Sequence, residues 1–349
     1  MTTFRAPRSW EDGSVDPLDE TFGDVIEPCR LADADLTDST DPAEPSADRV
    51  DVIADPSLPS AGTFDAVLVG EPYDGAVIGR PGAREGPRAL RDALSGTKTH
   101  HLEDGPVGSI GDLGDVTVPD GGVEAVQRTL QETTARVYES GALPVFLGGD
   151  NSLTVPNAAP LLERGSLGIV NFDAHLDCRE VHDGPTSGTP YRQLLERGLD
   201  AYAVLGARHF ETSTTYVEYA LERGAEIVPS ETVGLDPIAA ADRALESLGD
   251  VDAIYVSVDL DVLDATAAPG VSAPTPGGLT TRELYGALRR VASEDRVSGF
   301  EVVECAPSLE SGALTQRAGA RAVAHFLSAY GAGQAPEPED VLAEMEGGR

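Results

Sequence analysis

Short apolar runs alternate with longer segments of helical spacing along most of this chain, and this alternation constrains the fold more than any other feature. Short apolar runs of this kind are typical of buried strands. Strand and helix repeated in turn predict an α/β fold, with a parallel sheet covered by helices on both faces. The apolar runs are residues 65–70, 143–147, 167–172, 202–206, 225–228, 252–258 and 299–303, and the clearest helical segments are 123–140, 191–198, 238–248 and 280–292.

The two ends of the chain differ in composition from this regular middle part. Residues 1–62 are rich in Asp, Pro, Ser and Thr and show no sustained apolar period. We therefore predict an acidic N-terminal extension over 1–62 that is partly mobile, most of all from about 28 onwards. Residues 333–349 have the same character and are predicted to form an acidic C-terminal tail. The regular part of the chain then spans 63–332.

The charge of the chain excludes two classes of partner. The sequence carries 60 acidic and 25 basic residues, for a net charge of -35, and Lys98 is its only lysine. This excess repels phosphate groups and anionic lipids, so neither a nucleic acid nor a membrane is expected as a partner. The composition is typical of proteins adapted to concentrated salt. Three distant cysteines and no long apolar run predict a cytoplasmic location.

Polar residues that can take part in chemistry directly follow several of the apolar runs. Residues 148–152, 173–177 and 259–261 each follow one run, and Glu304 follows another. Open α/β sheets bind ligands at the carboxyl ends of their strands. We therefore expect four strand ends to converge on one site.

The residue types in these segments point to a metal centre. In an extended chain, Asp173, His175 and Asp177 would point to one side, and Asp259 and Asp261 would repeat the pattern. Carboxylates crowded in this way repel one another unless a cation holds them. One imidazole and several carboxylates suit Mn²⁺, and their number favours two ions over one. Taken singly, an Asp-x-Asp pair more often belongs to a turn or a solvated surface.

Six segments together resemble the signatures of the ureohydrolase family, which includes arginases, agmatinases and formimidoylglutamases. The resemblance covers about residues 64–330 and implies one catalytic domain over 63–332. It also implies the arginase-type fold, a three-layer α/β/α domain with a central parallel sheet. The segments are RPGAREGP at 80–87, GGDNS at 148–152, DAHLD at 173–177, SVDLDVLD at 257–264, PTPGGLT at 274–280 and EVVE at 301–304.

The resemblance implies a metal ligand for each matching position. Asp173 and Asp259 would bridge two Mn²⁺ ions, Asp177 would bind the first ion, and His175 and Asp261 would bind the second. Members of the family are usually trimers or hexamers, so a homo-oligomer that acts on a small-molecule substrate is expected.

The resemblance also implies two catalytic roles and exposes one departure from the family pattern. Asp177 would move a proton to the leaving nitrogen, and Glu304 would hold the C–N group of the substrate. The family has His where this chain has Asn151, which would be a weaker ligand of the first ion. A relative that is poor in metal and has no catalytic activity is therefore kept as an alternative.

Within the family, the chain is most like formimidoylglutamases of the haloarchaeal type. The loop that would contact the substrate carries this resemblance. Residues 187–192 are similar to their Ser-Gly-Thr-Pro-Phe loop, and Arg179 replaces an uncharged residue of arginases. The resemblance implies hydrolysis of N-formimino-L-glutamate to glutamate and formamide in histidine degradation. Arginine side chains bind carboxylates well, and this substrate has two. The alternative is a guanidino hydrolase of the agmatinase or guanidinobutyrase kind. The predicted substrate-binding residues are Arg179, Ser187, Gly188, Thr189 and Arg192.

Overall fold

The computed structural model describes residues 4–5, 10, 16, 18–32 and 57–333. Two short strands, β4 and β5, pair with each other, and the other ten strands of the described part form one sheet. The strands are β1 Phe4–Arg5, β2 Ile26–Pro28, β3 Ala66–Gly70, β4 His100–His101, β5 Gly105–Pro106, β6 Ile110–Val116, β7 Leu143–Leu147, β8 Leu167–Phe172, β9 Ala201–Ala207, β10 Glu226–Pro229, β11 Ala253–Asp259 and β12 Val297–Val303.

The sheet has the order β1-β6-β3-β7-β12-β11-β8-β9-β10, with β2 also paired to β6. All of its pairs are parallel except β1 with β6. Each of the seven predicted runs coincides with one of the strands β3 and β7 to β12. Six of these seven strands are buried on both faces, which is why they read as continuous apolar runs. The edge strand β10 is only partly buried. The predicted α/β fold with a central parallel sheet is confirmed.

Helices cover both faces of the sheet and create two apolar cores. Buried side chains of α2, α8, α9 and α10 join one core, and those of α3, α4, α5 and α6 join the other. Four of these helices, α3, α5, α8 and α9, were predicted from helical spacing. The helices are α1 Phe22–Val25, α2 Gly86–Ser95, α3 Val123–Glu139, α4 Thr154–Leu162, α5 Pro190–Glu196, α6 Thr214–Glu222, α7 Ser230–Leu235, α8 Pro237–Leu248, α9 Thr281–Ala292 and α10 Leu314–Gly333.

Part of the predicted N-terminal extension adds to this domain. Residues 18–32 include α1 and β2, and β2 extends the sheet along β6. Trp10 donates a hydrogen bond from Nε1 to Asp112 Oδ2 on β6 at 3.0 Å. The predicted mobile segment lies mainly in 33–56, outside the described residues, as does almost all of the predicted tail.

Two smaller sequence observations concern the cysteines and the membrane. Cys29, Cys178 and Cys305 are all buried and all free thiols. Burial raises the pKa of each thiol, so none is a reactive thiolate at neutral pH. Within the described part of the chain, no helix combines the length and the apolar character that crossing a bilayer requires.

Candidate metal centre

Four neighbouring strands end at the same edge of the sheet and carry the predicted site residues there. Strands β7, β12, β11 and β8 are adjacent in this order and run parallel. Residues 148–152 follow β7, Glu304 follows β12, residues 259–261 end and follow β11, and residues 173–177 follow β8. The parallel sheet therefore brings together segments that are distant in the chain. The backbone N–H of Asn151, for example, donates to Glu304, 153 residues away.

The five predicted carboxylate and imidazole ligands form two groups that share one residue. One group is Asp173, His175 and Asp261, and the other is Asp173, Asp177 and Asp259. In each group, one ligand atom per residue lies within 4.8 Å of the corresponding atoms of the other two. Such spacing and donor types fit divalent cations with oxygen and imidazole ligands. The acidic clusters therefore form a metal-binding site.

Local turns direct these side chains towards the cluster. The sequence analysis assumed an extended chain in which alternate side chains point to one side, and that assumption is wrong. The backbone N–H of His175 donates to Asp173 Oδ1 at 2.7 Å, and that of Asp261 donates to Asp259 Oδ1 at 2.9 Å. Each bond turns the chain at the end of a strand, as Asp side chains commonly do. Asp177 then adopts a φ of 42°, in the left-handed region. Its carboxylate lies in one group with those of Asp173 and Asp259.

The electrostatics of the cluster show why it suits a cation. Burial, and next the charge of Asp261, raises the pKa of Asp173. Burial and neighbouring carboxylates likewise raise the pKa of Asp177 and of Asp259 well above the usual value. The pKa of Asp261 is lowered, because the charge of His175 and its hydrogen bond outweigh the effect of burial. A bound cation would relieve the repulsion that raises the other three pKa values.

Asn151 and Glu304 lie at the edge of the cluster. Asn151 Nδ2 donates to Asp177 Oδ2 at 2.5 Å. The residue that stands in place of the family's His therefore contacts a predicted ligand of the first ion. Glu304 has a φ of 64° and accepts a hydrogen bond from the backbone N–H of Asn151 at Oε1. Its Oε2 is buried and has no hydrogen-bond partner among the described residues. An unpaired buried carboxylate oxygen can bind a donor group of a ligand.

A cavity of about 120 Å³ opens above the cluster. Three of the predicted substrate-binding residues, Arg179, Ser187 and Gly188, contribute to its wall. Ser187 Oγ accepts a hydrogen bond from the backbone N–H of Ile78, which connects two loops of this wall. The lining residues are Ile78, Gly79, His175, Asp177, Arg179, Ser187, Gly188, Asp259, Asp261, Ser272, Ala273 and Glu304.

Gly188 is required for the close approach of Arg179. The backbone N–H of Arg179 donates to Gly188 O at 2.9 Å. A Cβ at position 188 would lie 2.7 Å from Arg179 Cδ and 2.7 Å from Ile78 Cδ1. The glycine therefore allows the arginine side chain to lie along the loop and reach the cavity.

The other two predicted substrate-binding residues are not among those that line this cavity. Thr189 is buried, and its Oγ1 accepts a hydrogen bond from Thr186 N at 2.9 Å, within the loop. The guanidinium of Arg192 lies over the Tyr219 ring, 3.5 Å from its centre, and Nε donates to Cys178 O. In this geometry both residues hold the loop and α5 in place.

Two residues next to the centre were missed by the sequence analysis. Glu211 Oε2 lies 3.8 Å from His175 Nε2, beside an adjoining cavity of about 110 Å³. Arg208 is buried and donates from Nη2 to Asp261 O at 2.8 Å, which holds the second ligand loop. Both residues follow the apolar run 202–206, so the signal that identified the other strand ends applies to them as well.

The domain that carries this site matches a known protein family. Residues 64–328 match the family model described as the arginase family. The chain belongs to the arginase family. The match covers most of the domain and includes all the strand ends that carry the candidate metal centre.

Several similar members of the arginase family have names that state a more specific activity than the family name does. A formimidoylglutamase of Halobacterium salinarum is 51% identical over 93% of this chain and 99% of its own length. The crystal structure of formimidoylglutamase from Bacillus subtilis is similar with a TM-score of 0.77 and 28% identity, and the similarity covers 92% of this chain and 95% of that one. A formiminoglutamase of Trypanosoma cruzi, solved with Mn²⁺, has a TM-score of 0.73 and 26% identity, covering 80% of this chain and 97% of that one.

Proposed function

We propose that this enzyme hydrolyses N-formimino-L-glutamate to L-glutamate and formamide. One observation carries the proposal: the cavity of the carboxylate cluster is also lined by the guanidinium-bearing Arg179. The formimino group is a cationic amidine that suits the carboxylates, and the two substrate carboxylates suit the arginine. The similarity to the formimidoylglutamase of Halobacterium salinarum supports the same reaction.

The cofactor we propose is a pair of Mn²⁺ ions held by the two ligand groups. Asp173 belongs to both groups, which supports a role for it as a ligand of both ions. Asp177 would hold the first ion, and His175 and Asp261 the second. The bridging role of Asp259 stays a prediction from the family resemblance. When bound, the ions would lower the pKa of a water molecule towards neutrality and stabilise the negative charge that develops during attack.

The residues of the chain would position the substrate and move its proton. Glu304 would hold the amidine nitrogens through charge-assisted hydrogen bonds, using Oε2, which has no hydrogen-bond partner among the described residues. Hydroxide adds to the formimino carbon, and the bond from this carbon to the glutamate nitrogen breaks. Asp177 would give the leaving nitrogen the proton it needs, which makes Asp177 a general acid. The products are the free amino acid and formamide.

A panel of substrates tests the proposal and its alternative. Purified enzyme loaded with Mn²⁺ should release formamide from N-formimino-L-glutamate, with little urea from agmatine or 4-guanidinobutyrate. Glu211 favours the alternative, because a carboxylate beside the cavity suits the cationic end of agmatine. Release of urea at the higher kcat/KM would establish a guanidino hydrolase instead. No turnover and no bound metal would indicate the non-catalytic relative.

Arg179 provides a test of substrate specificity. We expect Arg179→Met to raise KM for N-formimino-L-glutamate about tenfold, because a charge-assisted bond to a substrate carboxylate is lost. Steady-state kinetics measure this effect. Arg223→Met is the control, because it removes the same charge from a residue that lies over the Tyr219 ring and is not among those lining the cavity. An equal rise of KM in both variants would count against a substrate contact by Arg179.

Asn151 provides a test of the first metal site. We expect Asn151→His to tighten the weaker Mn²⁺ site on the order of tenfold, because imidazole is the stronger donor. Asn151→Ala should loosen the same site, and the site of His175 and Asp261 should not change. Calorimetric titration of metal-stripped protein should show two steps, of which only the weaker moves. Identical titrations for all three proteins would place Asn151 outside the metal sphere.

Other parts of the sequence-based interpretation stay predictions. These are assembly into a trimer or hexamer, a cytoplasmic location, a role in histidine degradation and adaptation to concentrated salt. The domain boundaries at 62 and 332 also stay proposals, because most residues beyond them lie outside the described part of the chain.

A further inference from the structure

A buried hydroxyl stands between Asn151 and a carboxyl group that the proposed mechanism does not use. Thr154 is the first residue of α4, and Glu301 lies on β12. Thr154 Oγ1 lies 2.7 Å from Asn151 Oδ1 and 2.5 Å from Glu301 Oε1. All three side chains are almost completely buried. Their hydrogen bonds must therefore be satisfied by one another and by adjacent protein groups.

The single proton of the Thr154 hydroxyl cannot serve both neighbours. An amide oxygen and a carboxylate oxygen are both acceptors, and a hydroxyl donates only one hydrogen bond. The nitrogen and oxygen of an Asn amide occupy nearly the same space after a half-turn about the Cβ–Cγ bond. After this half-turn, Asn151 Nδ2 donates to Thr154 Oγ1 and Thr154 donates to Glu301. Each of the two hydrogen bonds of the Thr154 hydroxyl, to Asn151 and to Glu301, then contains one proton.

The surroundings of Glu301 favour the arrangement in which it receives the proton of Thr154. Ser257 Oγ donates to Oε1 at 2.7 Å, Tyr255 OH donates to Oε2 at 2.7 Å, and Asn157 Nδ2 donates to Oε2 at 3.1 Å. Burial raises the pKa of Glu301, and the four hydrogen bonds from its neighbours oppose this rise. Four donors for two oxygens match an ionised carboxylate. An ionised Glu301 has no proton of its own, so its 2.5 Å contact with Thr154 Oγ1 uses the proton of Thr154.

The orientation of the Asn151 amide therefore bears on the metal centre. With its nitrogen directed to Thr154, the amide presents Oδ1 to Asp177, at the place where Nδ2 otherwise lies 2.5 Å from Asp177 Oδ2. Two oxygens at such a distance repel each other unless a cation lies close to both. We propose that Thr154, held by Glu301, is a positioning residue that directs the oxygen of Asn151 towards the first metal ion. The inference rests on the metal centre of the proposed function.

The inference is tested by Mn²⁺ binding in a double-mutant cycle. We expect Thr154→Val to weaken the first site about tenfold, because the amide nitrogen then faces a methyl group without an acceptor. Thr154→Ser keeps the hydroxyl and should restore the affinity. In the Asn151→Ala background, Thr154→Val should have no further effect, because the amide it orients is absent. Calorimetric titration of metal-stripped protein gives both affinities, and circular dichroism establishes that each variant is folded.

Two outcomes would overturn the inference. One is an unchanged first site in Thr154→Val. The other is an equal loss with and without Asn151, which would mean that Thr154 acts through general packing. Should Thr154→Val not fold, Thr154→Ala takes its place in the same cycle. Turnover is measured separately, so failure to hydrolyse N-formimino-L-glutamate would reject the proposed substrate and leave the binding result to decide the role of Thr154.

Discussion

Asp259→Ala is expected to lower kcat/KM for N-formimino-L-glutamate by about a thousandfold or more, because metal ions contribute several kcal/mol to transition-state stabilisation. The variant removes a buried carboxylate from the group that also contains Asp173 and Asp177. We expect it to hold fewer than two Mn²⁺ ions per chain. Elemental analysis after gel filtration and kinetics at saturating Mn²⁺ measure the two effects.

Asp264→Ala is the matched control for this variant. Asp264 lies five residues further along the same segment, where it accepts hydrogen bonds from Gly277 N and Thr266 Oγ1. It belongs to neither ligand group. Its replacement should cost stability and leave the metal content and kcat/KM near those of the unmodified enzyme. Comparable losses of activity in both variants would indicate a general distortion of the loop.

The stability of metal-stripped protein separates loss of metal from loss of fold. Burial and the charges of Asp261 and Asp173 raise the pKa of Asp259 well above its value in an unfolded chain. A carboxyl whose pKa is raised by folding opposes the folded state once the pH is high enough to ionise it. Metal-stripped Asp259→Ala should therefore unfold at a temperature no lower than the metal-stripped unmodified protein at neutral pH. A much lower midpoint would show that Asp259 is needed for folding.

Glu304→Gln is expected to lower kcat about a hundredfold while the metal content stays at two ions per chain. The amide has nearly the same shape but loses the charge that would hold the amidine of the substrate, and hydrogen bonds to charged groups are the stronger ones. The left-handed backbone at this position is unchanged by the substitution. Metal analysis and steady-state kinetics on the same preparation test both statements. Unchanged kcat with normal metal content would remove Glu304 from the mechanism.

The sequence predicted strands well where burial is complete and poorly where it depends on a distant partner. Strands β3, β7, β8, β9, β11 and β12 read as apolar runs because both of their faces are buried. Strand β6 was missed because it contains Gly111, Asp112 and Gly114. Asp112 is fully buried there because Arg91 on α2 donates to both of its carboxylate oxygens. No local sequence pattern predicts such an ion pair, because its two residues come from different elements.

The sequence by itself determined the edge of the sheet at which the predicted metal ligands lie. Segments that end parallel strands must lie at one edge of the sheet, so Asp173, Asp259 and Glu304 could be assigned to one site from their positions in the chain. Only the tertiary structure decided where side chains point once they arrive there. It directs Arg179 into the wall of the cavity and Arg192 onto Tyr219, although both follow the same strand end.

The tertiary structure likewise decided the surroundings of Asn151. Thr154 lies only three residues away in sequence, but Asp177 and Glu304 come from elements that meet Asn151 only in the folded domain. The position of a buried strand along the chain depends on a run of apolar residues, which is local in the sequence. The direction of a buried side chain depends on hydrogen-bond partners and packing, which are supplied by residues far away in sequence.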